Sequence, residues 1–203
     1  MKEQTLILAS SSKYRRELLE RLHLPFSVYS PDVDETPNIG ESPIQLVERL
    51  SHLKARHISE KYPDAWVIGS DQVADFMGAA IGKPITHERA LAQLQLMQGQ
   101  TVIFRTGMCL MHLNSNTTLY TNVDTEVTFR EFDEATLENY LRIEQPYDCA
   151  GSAKAEGLGI GLLSAIKSTD PTAIIGLPLI ELSGLLISVG FQLFQEQKNS
   201  HHD

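Results

Sequence analysis

Two long β-rich runs in the middle of the chain constrain its fold more than any other feature. They cover Thr101–Leu113 and Thr117–Phe129, with Asn114-Ser115-Asn116 between them. Turn-forming residues between two such runs predict an antiparallel hairpin. In the first half of the chain, short apolar runs alternate with stretches of helical period, which is typical of α/β proteins. The sequence therefore predicts an α/β fold with a mixed, twisted sheet flanked by helices.

In that first half, polar residues follow the predicted strands. A strand over 5–9 leads into Ser10 and Ser12, and a strand over 65–69 ends just before Asp71. Ligands of open α/β sheets bind beyond the carboxyl ends of the strands. The candidate binding site is therefore expected around these residues.

Capping residues mark where helices begin. Ser42, Thr86 and Asp133 each precede a stretch of helical period and have side chains that accept hydrogen bonds from a first turn. The last third is predicted to hold a glycine-rich loop over 151–161, followed by a buried strand, turn and helix within 173–191. That apolar stretch is interrupted by a proline and a glutamate, so we do not expect it to cross a membrane.

Charge and length limit the function classes. The formal charge of −9, from 17 Lys and Arg against 26 Asp and Glu, repels nucleic-acid backbones, so no nucleic-acid partner is expected. Cys109 and Cys149 form no metal-binding pair and indicate reduced thiols. We expect a cytoplasmic protein without a membrane partner. Residues 1–195 are predicted to form one domain of two lobes that share a sheet, and residues 196–203 a frayed tail.

A small set of polar residues could carry chemistry. Ser10, Ser12 and Arg15 surround a predicted helix N-terminus, an arrangement that favours phosphate. Asp71 could bind a divalent cation or accept a proton from water. Each residue also fits an ordinary role, such as a capped helix or a turn aspartate. The same two interpretations stay open for four more charged residues: Glu35, Lys54, Lys83 and Glu156.

Gly157–Gly161 is a weak phosphate-loop signal, because a loop precedes it instead of a strand. Several fragments together are more specific. They are, in order, Leu8–Arg16, Asp34–Pro37, Lys54-Ala55, Gly69–Gln72, Gly82–Pro84 and Gly176–Pro178. With these fragments the chain resembles the Maf family of nucleoside triphosphate pyrophosphatases over essentially its full length. Each piece is weak alone, whereas their order and spacing are distinctive.

One subgroup of that family resembles this chain in particular. Its Ser70-Asp71-Gln72 segment and its Glu156 are similar to the residues at these positions in the enzymes that hydrolyse 7-methyl-GTP. The dTTP/UTP enzymes instead carry Ala-Asp-Thr where this chain has Ser70-Asp71-Gln72. The chain departs from that subgroup at Lys13, where proline is usual, and at Tyr14, where tryptophan is usual.

The resemblance implies a Maf- or inosine-triphosphatase-like fold with two lobes around a substrate cleft. It implies hydrolysis between the α- and β-phosphates, which releases a nucleoside monophosphate and diphosphate with the help of Mg²⁺ or Mn²⁺. Such a reaction would remove modified nucleotides from the pool. Asp71 would be the proton acceptor and, with Glu35, would hold the metal. Lys54 and Lys83 would be catalytic.

Substrate-binding roles then go to Ser10, Ser12 and Arg15. Base preference is assigned to the aromatic face of Tyr14 and the carboxylate of Glu156, which suit a positively charged 7-methylguanine ring. Gln72 would add an amide contact.

Two alternatives stay open: a dTTP/UTP pyrophosphatase of the same family, and a non-catalytic nucleotide-binding regulator of cell division. The apolar C-terminal segment suggests that the chain could form a homodimer.

Overall fold

The computed structural model describes residues 4–194, and the predicted tail over 196–203 lies outside them. The described chain has an α/β fold with a seven-stranded mixed sheet in the order β2-β1-β3-β5-β6-β7, while β4 pairs with β3. The strands are β1 Leu6–Ala9, β2 Ser27–Tyr29, β3 Trp66–Phe76, β4 Ala79–Ile81, β5 Thr101–His112, β6 Thr117–Phe129 and β7 Leu163–Ser168.

Five α-helices flank the sheet within the described residues: α1 Lys13–Glu20, α2 Pro43–Ser59, α3 His87–Met97, α4 Glu134–Glu144 and α5 Leu179–Ser188. The predicted caps of α2, α3 and α4 are confirmed. Ser42 accepts a hydrogen bond from the Gln45 amide, and the Gln45 side chain accepts one from the Ser42 amide. Thr86 and Asp133 cap their helices by accepting hydrogen bonds from the Arg89 and Thr136 amides, without the reciprocal side-chain bond. Between residues 4 and 194, no helix is both long and apolar enough to cross a membrane.

Strand β3 corrects one prediction. The sequence predicted a strand that ends at Gly69, but β3 continues through Asp71 to Phe76. Its antiparallel pairing with β5 runs unbroken past the polar residues and holds them in the sheet. The parallel neighbour β1 ends at Ala9, opposite Gly69, so Asp71 lies just beyond the end of β1 and not beyond the end of its own strand.

The last third of the chain differs from the prediction in two ways. Strand β7 was not predicted, because only Leu163 of its six residues is buried and the rest form an exposed edge. The strand predicted at the start of 173–191 is instead a short 3-10 turn, Ala173–Ile175. Helix α5 follows as predicted.

The core is divided between two lobes that share the long strands. In one lobe, α1 and α5 cover one face of the sheet through residues such as Leu18 and Leu182, and α2 covers the other face with Ile58. In the other lobe, α3 and α4 pack around Phe104 and Leu141. Strand β3 contributes to both lobes, and the cleft between them opens at its middle.

Two glycines let α2 lie directly on the sheet. A Cβ on Gly69 would lie 2.3 Å from the Ser51 carbonyl oxygen and 2.5 Å from the Ala55 amide nitrogen. A Cβ on Gly107, which pairs with Asp71 across the sheet, would lie 2.4 Å from a Val47 methyl group. This close approach brings the α2 side chains into contact with β3.

Candidate active site

A cleft of about 610 Å³ lies between the lobes, and every residue that the sequence nominated for a site lines it. The walls come from the start of α1, the loop before α2, α2 itself, β3, the β3–β4 hairpin and the segment after α4. The nominated residues are Ser10, Ser12, Tyr14, Arg15, Glu35, Lys54, Asp71, Gln72, Lys83 and Glu156.

Five of these residues form what we call the charged cluster: Arg15, Glu35, Lys54, Asp71 and Lys83. At its centre, the Lys54 ammonium lies 2.7 Å from Asp71 Oδ1 and 2.8 Å from Glu35 Oε1. Lys54 and Asp71 are only 5% and 8% exposed, whereas half of the Glu35 side chain is accessible. A buried lysine is thus paired with two carboxylates, which compensates its desolvation.

The surrounding cations decide the ionisation of Glu35. Partial burial tends to raise its pKa, but the Lys54 hydrogen bond and the charges of Lys54, Lys83 and Arg15 outweigh burial and lower it. Glu35 is therefore held as a carboxylate inside the cluster.

Arg15 is tied to the far end of the chain. Its Nε donates to the Gly176 carbonyl at 2.8 Å, and the Ser70 hydroxyl donates to the same oxygen at 3.0 Å. Burial lowers the pKa of Arg15, opposed by the charges of Asp71 and Glu35, and the guanidinium stays charged. Gly176 adopts φ +119°, which favours glycine and aims this carbonyl into the cluster.

A buried carboxylate that the sequence did not single out fixes this turn. Asp170 is fully buried and accepts hydrogen bonds from the backbone amides of Thr172 and Ile180, at 3.0 and 2.6 Å. The Thr172 hydroxyl in turn donates to the Leu177 carbonyl. The Gly-Leu-Pro fragment is therefore part of the support beneath Arg15.

The serines before α1 act as caps. Ser10 Oγ accepts a hydrogen bond from the Ser12 amide at 3.1 Å, and Ser12 Oγ accepts one from the Arg15 amide at 3.4 Å. An anion at this helix end could accept hydrogen bonds from the two serine hydroxyls. It could also accept them from the first-turn amides of Lys13 and Tyr14, which have no partner within the helix. Both interpretations from the sequence, a capped helix and an anion-binding end, are compatible here.

Lys83 differs from Lys54 in its exposure and in its side-chain contacts. It is exposed, follows the β3–β4 hairpin, and its side chain makes no hydrogen bond or ion pair with any residue between 4 and 194. Its charge still acts on Glu35. Such a lysine is available to a ligand.

Glu35 and Asp71 are the carboxylates that the sequence assigned to a metal. In each carboxylate, one oxygen contacts the Lys54 ammonium and the second oxygen takes no part in that ion pair. Within residues 4–194, no group of three or more His, Cys, Asp or Glu residues could hold an ion. Two oxygen donors fit Mg²⁺ or Mn²⁺, which keep water molecules and take further ligands from phosphates. The donor set suits a cation that binds together with a phosphate.

A second group, the loop cluster, comprises Tyr14, Asp148, Cys149 and Glu156. Burial raises the pKa of Tyr14, and Cys149, Asp148 and Glu156 raise it further, so these groups lie close together. Burial also raises the pKa of Glu156, although its side chain reaches solvent at the mouth of the cleft. Sequence reasoning missed Asp148 and Cys149, because neither belongs to a motif with a chemical interpretation.

Two residues that the sequence assigned to base preference, Tyr14 and Gln72, already have partners within the protein. The Tyr14 ring centroid lies 4.9 Å from the Lys13 ammonium and 5.8 Å from that of Lys154. The Gln72 side-chain amide donates to Thr106 Oγ1 at 3.0 Å and to the Ala173 carbonyl at 2.8 Å. Its carbonyl oxygen is therefore the Gln72 group that a ligand could contact.

Packing explains two of the three glycines in the run at 157–161. A Cβ on Gly159 would lie 2.5 Å from the Lys154 amide nitrogen, and one on Gly157 would lie 2.8 Å from Glu144 Oε2. Glu144 forms an ion pair with Lys154 and accepts a hydrogen bond from the Leu158 amide at 2.7 Å. These glycines let the segment wrap around that ion pair, and they do not form a phosphate loop.

Comparisons with known proteins show which family and which proteins this chain is similar to. The family model described as "Maf: Maf-like protein" matches residues 5–189. The chain is 55% identical over 192 residues to a 7-methyl-GTP pyrophosphatase of Polaromonas sp. strain JS666, covering 95% of this chain and 88% of that one. It is 54% identical over 189 residues to a 7-methyl-GTP pyrophosphatase of Cupriavidus metallidurans, covering 93% and 95%.

A more distant similarity links the chain to a solved nucleoside-triphosphatase / dITP/XTP pyrophosphatase from Mycobacterium abscessus. The TM-score is 0.44 at 14% identity, covering 93% of this chain and 100% of that one. The match over 5–189 and the relatives above 50% identity are the decisive comparisons, and on them the chain belongs to the Maf family.

Proposed function

We propose that this protein is a nucleoside triphosphate pyrophosphatase that hydrolyses 7-methyl-GTP to 7-methyl-GMP and diphosphate, and so removes a modified nucleotide from the pool. The observation that carries the proposal is the charged cluster, in which three cations converge on two carboxylates inside a cleft. The names of the relatives support the choice of substrate, because the chain covers 88% and 95% of their lengths.

The proposed reaction is attack of water on the α-phosphorus. A bond forms between the water oxygen and phosphorus, the bond to the α–β bridging oxygen breaks, and diphosphate leaves. The water proton passes to Asp71, which has one oxygen held by Lys54 and the other outside that pair. Arg15 and Lys83 would bind the phosphates and offset charge in the transition state, while Ser10 and Ser12 would donate hydroxyl hydrogen bonds.

A divalent cation belongs to the proposal. Glu35 and Asp71 would hold Mg²⁺ or Mn²⁺, which when bound supplies charge neutralisation on the triphosphate. Two carboxylate oxygens would fill only part of the coordination shell of such an ion. The remaining ligands would come from water and from the phosphates, which favours an ion that binds together with the nucleotide.

Recognition of the base is proposed for the loop cluster. A 7-methylguanine ring carries positive charge, which the carboxylates of Glu156 and Asp148 would attract. Glu156 would also accept hydrogen bonds from the N1–H and N2–H₂ edge of guanine. Because Lys13 and Lys154 already approach the Tyr14 ring, carboxylates are better placed than this ring to select a cationic base.

The test is diphosphate release from a panel of nucleotides, comprising 7-methyl-GTP, GTP, dTTP and UTP, with Mg²⁺ or Mn²⁺. We expect 7-methyl-GTP to be hydrolysed fastest and Asp71→Asn to lower turnover by about a thousandfold. Preference for dTTP and UTP would contradict the substrate and keep the reaction. Binding without turnover on any nucleotide would contradict the enzyme and favour the non-catalytic regulator.

We also propose that the protein is cytoplasmic. We further propose that it forms a homodimer through the exposed surface of α5. That helix exposes Ile180 and Ile187, 57% and 53% accessible. Light scattering during gel filtration should give twice the 22.6 kDa chain mass. A monomer at micromolar concentration would contradict the dimer.

A further inference from the structure

The loop that carries Glu35, residues 30–42, has neither helix nor strand and few apolar anchors. Ile39 is completely exposed, and Glu35 and its neighbours are exposed as well. Within the loop, the Thr36 amide donates to Asp34 Oδ1 at 2.9 Å, but this turn does not involve the Glu35 side chain, whose carboxylate lies 2.8 Å from Lys54. Polar contacts from outside the loop add to this local turn.

Arg49 on α2 supplies such contacts. Its Nε lies 2.6 Å from Glu41 Oε1, and its Nη2 donates to Glu41 Oε2 at 2.8 Å and to the Thr36 carbonyl at 3.0 Å. The loop closes on itself at the same point, because Glu41 also accepts a hydrogen bond from the Asn38 amide at 2.9 Å. One guanidinium therefore binds both halves of the loop.

The geometry of these contacts requires an arginine. A planar guanidinium matches both oxygens of a carboxylate, which a lysine cannot do. The Glu41 side chain is only 7% exposed, so its charge depends on this partner. The Arg49 hydrogen bond lowers the pKa of Glu41 to about 2, and the pair stays ionised above that pH.

We propose that Arg49 is a positioning residue for the reaction, acting through Glu35. Thr36 directly follows Glu35, so the bond from Arg49 to the Thr36 carbonyl fixes the backbone next to the carboxylate. Helix α2 carries both Arg49 and Lys54, so one rigid helix fixes the position of the Glu35 loop relative to Lys54. The inference rests on the proposed function for its catalytic readout.

An ordinary surface ion pair would behave differently. Exposed pairs add little to stability, and their loss leaves activity unchanged. A displacement of about 1 Å at a group that acts on the reacting atoms can cost about a hundredfold in rate. Activity therefore separates the two roles.

The experiment compares wild type, Arg49→Ala, Arg49→Lys, Glu35→Ala and the double variant Arg49→Ala/Glu35→Ala on 7-methyl-GTP with Mg²⁺. Arg142→Ala is the matched control, since its ion pair with Glu138 lies on the exposed face of α4. We expect Arg49→Ala to lower kcat by about ten- to hundredfold, and to lower Tm by about 2–4 °C because the nearly buried Glu41 carboxylate loses its partner. Arg49→Lys should recover little of that loss, and the control should match wild type.

The double variant tests the route through Glu35. If Arg49 acts through that carboxylate, its removal from Glu35→Ala changes kcat less than twofold. A full additional loss in the double variant, or wild-type kcat in Arg49→Ala, would overturn the inference.

Hydrogen exchange gives a readout that does not depend on turnover. The amide of Asn38 should exchange at least tenfold faster in Arg49→Ala than in wild type, because its acceptor Glu41 is released. Unchanged exchange would overturn the inference even if wild type hydrolysed no nucleotide. A lack of wild-type turnover with faster exchange would count against the proposed function alone, and would support Arg49 as the residue that fixes the loop.

Discussion

The charged cluster and the loop cluster line the same cleft but are held in different ways. Lys54 and Asp71 stand on α2 and β3, two regular elements that pack directly through Gly69. Asp148, Cys149 and Glu156 stand on the segment between α4 and β7, whose regular structure consists of short 3-10 turns. That segment is fastened by the ion pair of Lys154 with Glu144.

Under the proposed function, this difference separates the residues assigned to the reaction from those assigned to base preference. Groups that must approach reacting atoms closely belong on rigid elements, whose packing fixes their positions, and Glu35, the cluster member that stands on a loop, is instead paired with Lys54 of α2. Groups that distinguish one base from another can stand on a loop, which tolerates change without loss of the core. We therefore expect substitutions in the charged cluster to change turnover, and substitutions in the loop cluster to change the choice of nucleotide.

The largest effect should come from Asp71→Asn. Removing the proposed proton acceptor is expected to lower kcat by about a thousandfold while nucleotide binding persists. Diphosphate release and calorimetric binding measure the two properties. Asp124→Asn is the control on strand β6, where the carboxylate pairs with Arg105 at the surface, and its kcat should stay within about twofold of wild type. Equal losses in both variants would contradict the role of Asp71.

Next in size is Gly69→Ala, which tests the rigid packing. Its Cβ would meet the backbone of Ser51 and Ala55, so α2 must shift away from the sheet. We expect about 2–3 kcal/mol of destabilisation, seen as a lower Tm, together with loss of activity as Lys54 leaves Asp71. Gly184→Ala in α5 is the opposite control: its Cβ meets open space, and stability should rise by up to about 1 kcal/mol. A harmless Gly69→Ala would show that α2 does not set the site.

Glu156→Gln should have an intermediate effect, confined to the choice of substrate. Losing the carboxylate charge is expected to reduce the preference for 7-methyl-GTP over GTP about tenfold, while turnover of GTP changes little. The ratio of kcat/KM values for the two nucleotides measures this. An unchanged ratio would show that the charge of Glu156 does not select the base.

The smallest effect concerns pH. Burial raises the pKa of Glu156, so its charged form costs stability, and this cost appears as pH rises through the ordinary glutamate range. Glu156→Gln should therefore raise Tm slightly at about pH 7 and leave it unchanged at about pH 4. Thermal melts at both values check the sign. A lower Tm at neutral pH would mean that the charge of Glu156 is stabilised in the fold.

Much of the fold could be predicted because its signals are local. The caps Ser42, Thr86 and Asp133 bond to amides three residues away, so a short stretch of sequence contains the whole interaction. The β5–β6 hairpin is likewise a connection between neighbours in the chain. Strand β7 was missed because an exposed edge strand lacks the apolar alternation that marks a strand.

The candidate residues were found, but their arrangement was not. No pattern showed that Lys54 would lie between Glu35 and Asp71. Nor did any pattern show that the Gln72 side-chain amide would donate to the carbonyls of residues 173 and 174. Arg49, Asp170 and Asp148 gave no signal at all, because their partners are set by the packing of distant segments.

By itself, the sequence determined the helix starts, the central hairpin, the mixed α/β class and the residue types gathered at one site. These follow from capping, turn chemistry and hydrophobic period, all of which act over a few residues. Only the tertiary structure decided that β3 runs through Asp71, since β5 holds it in the sheet from far along the chain. Only the tertiary structure also seated α2 on Gly69 and Gly107, because the space that a missing Cβ leaves has meaning only when another element fills it.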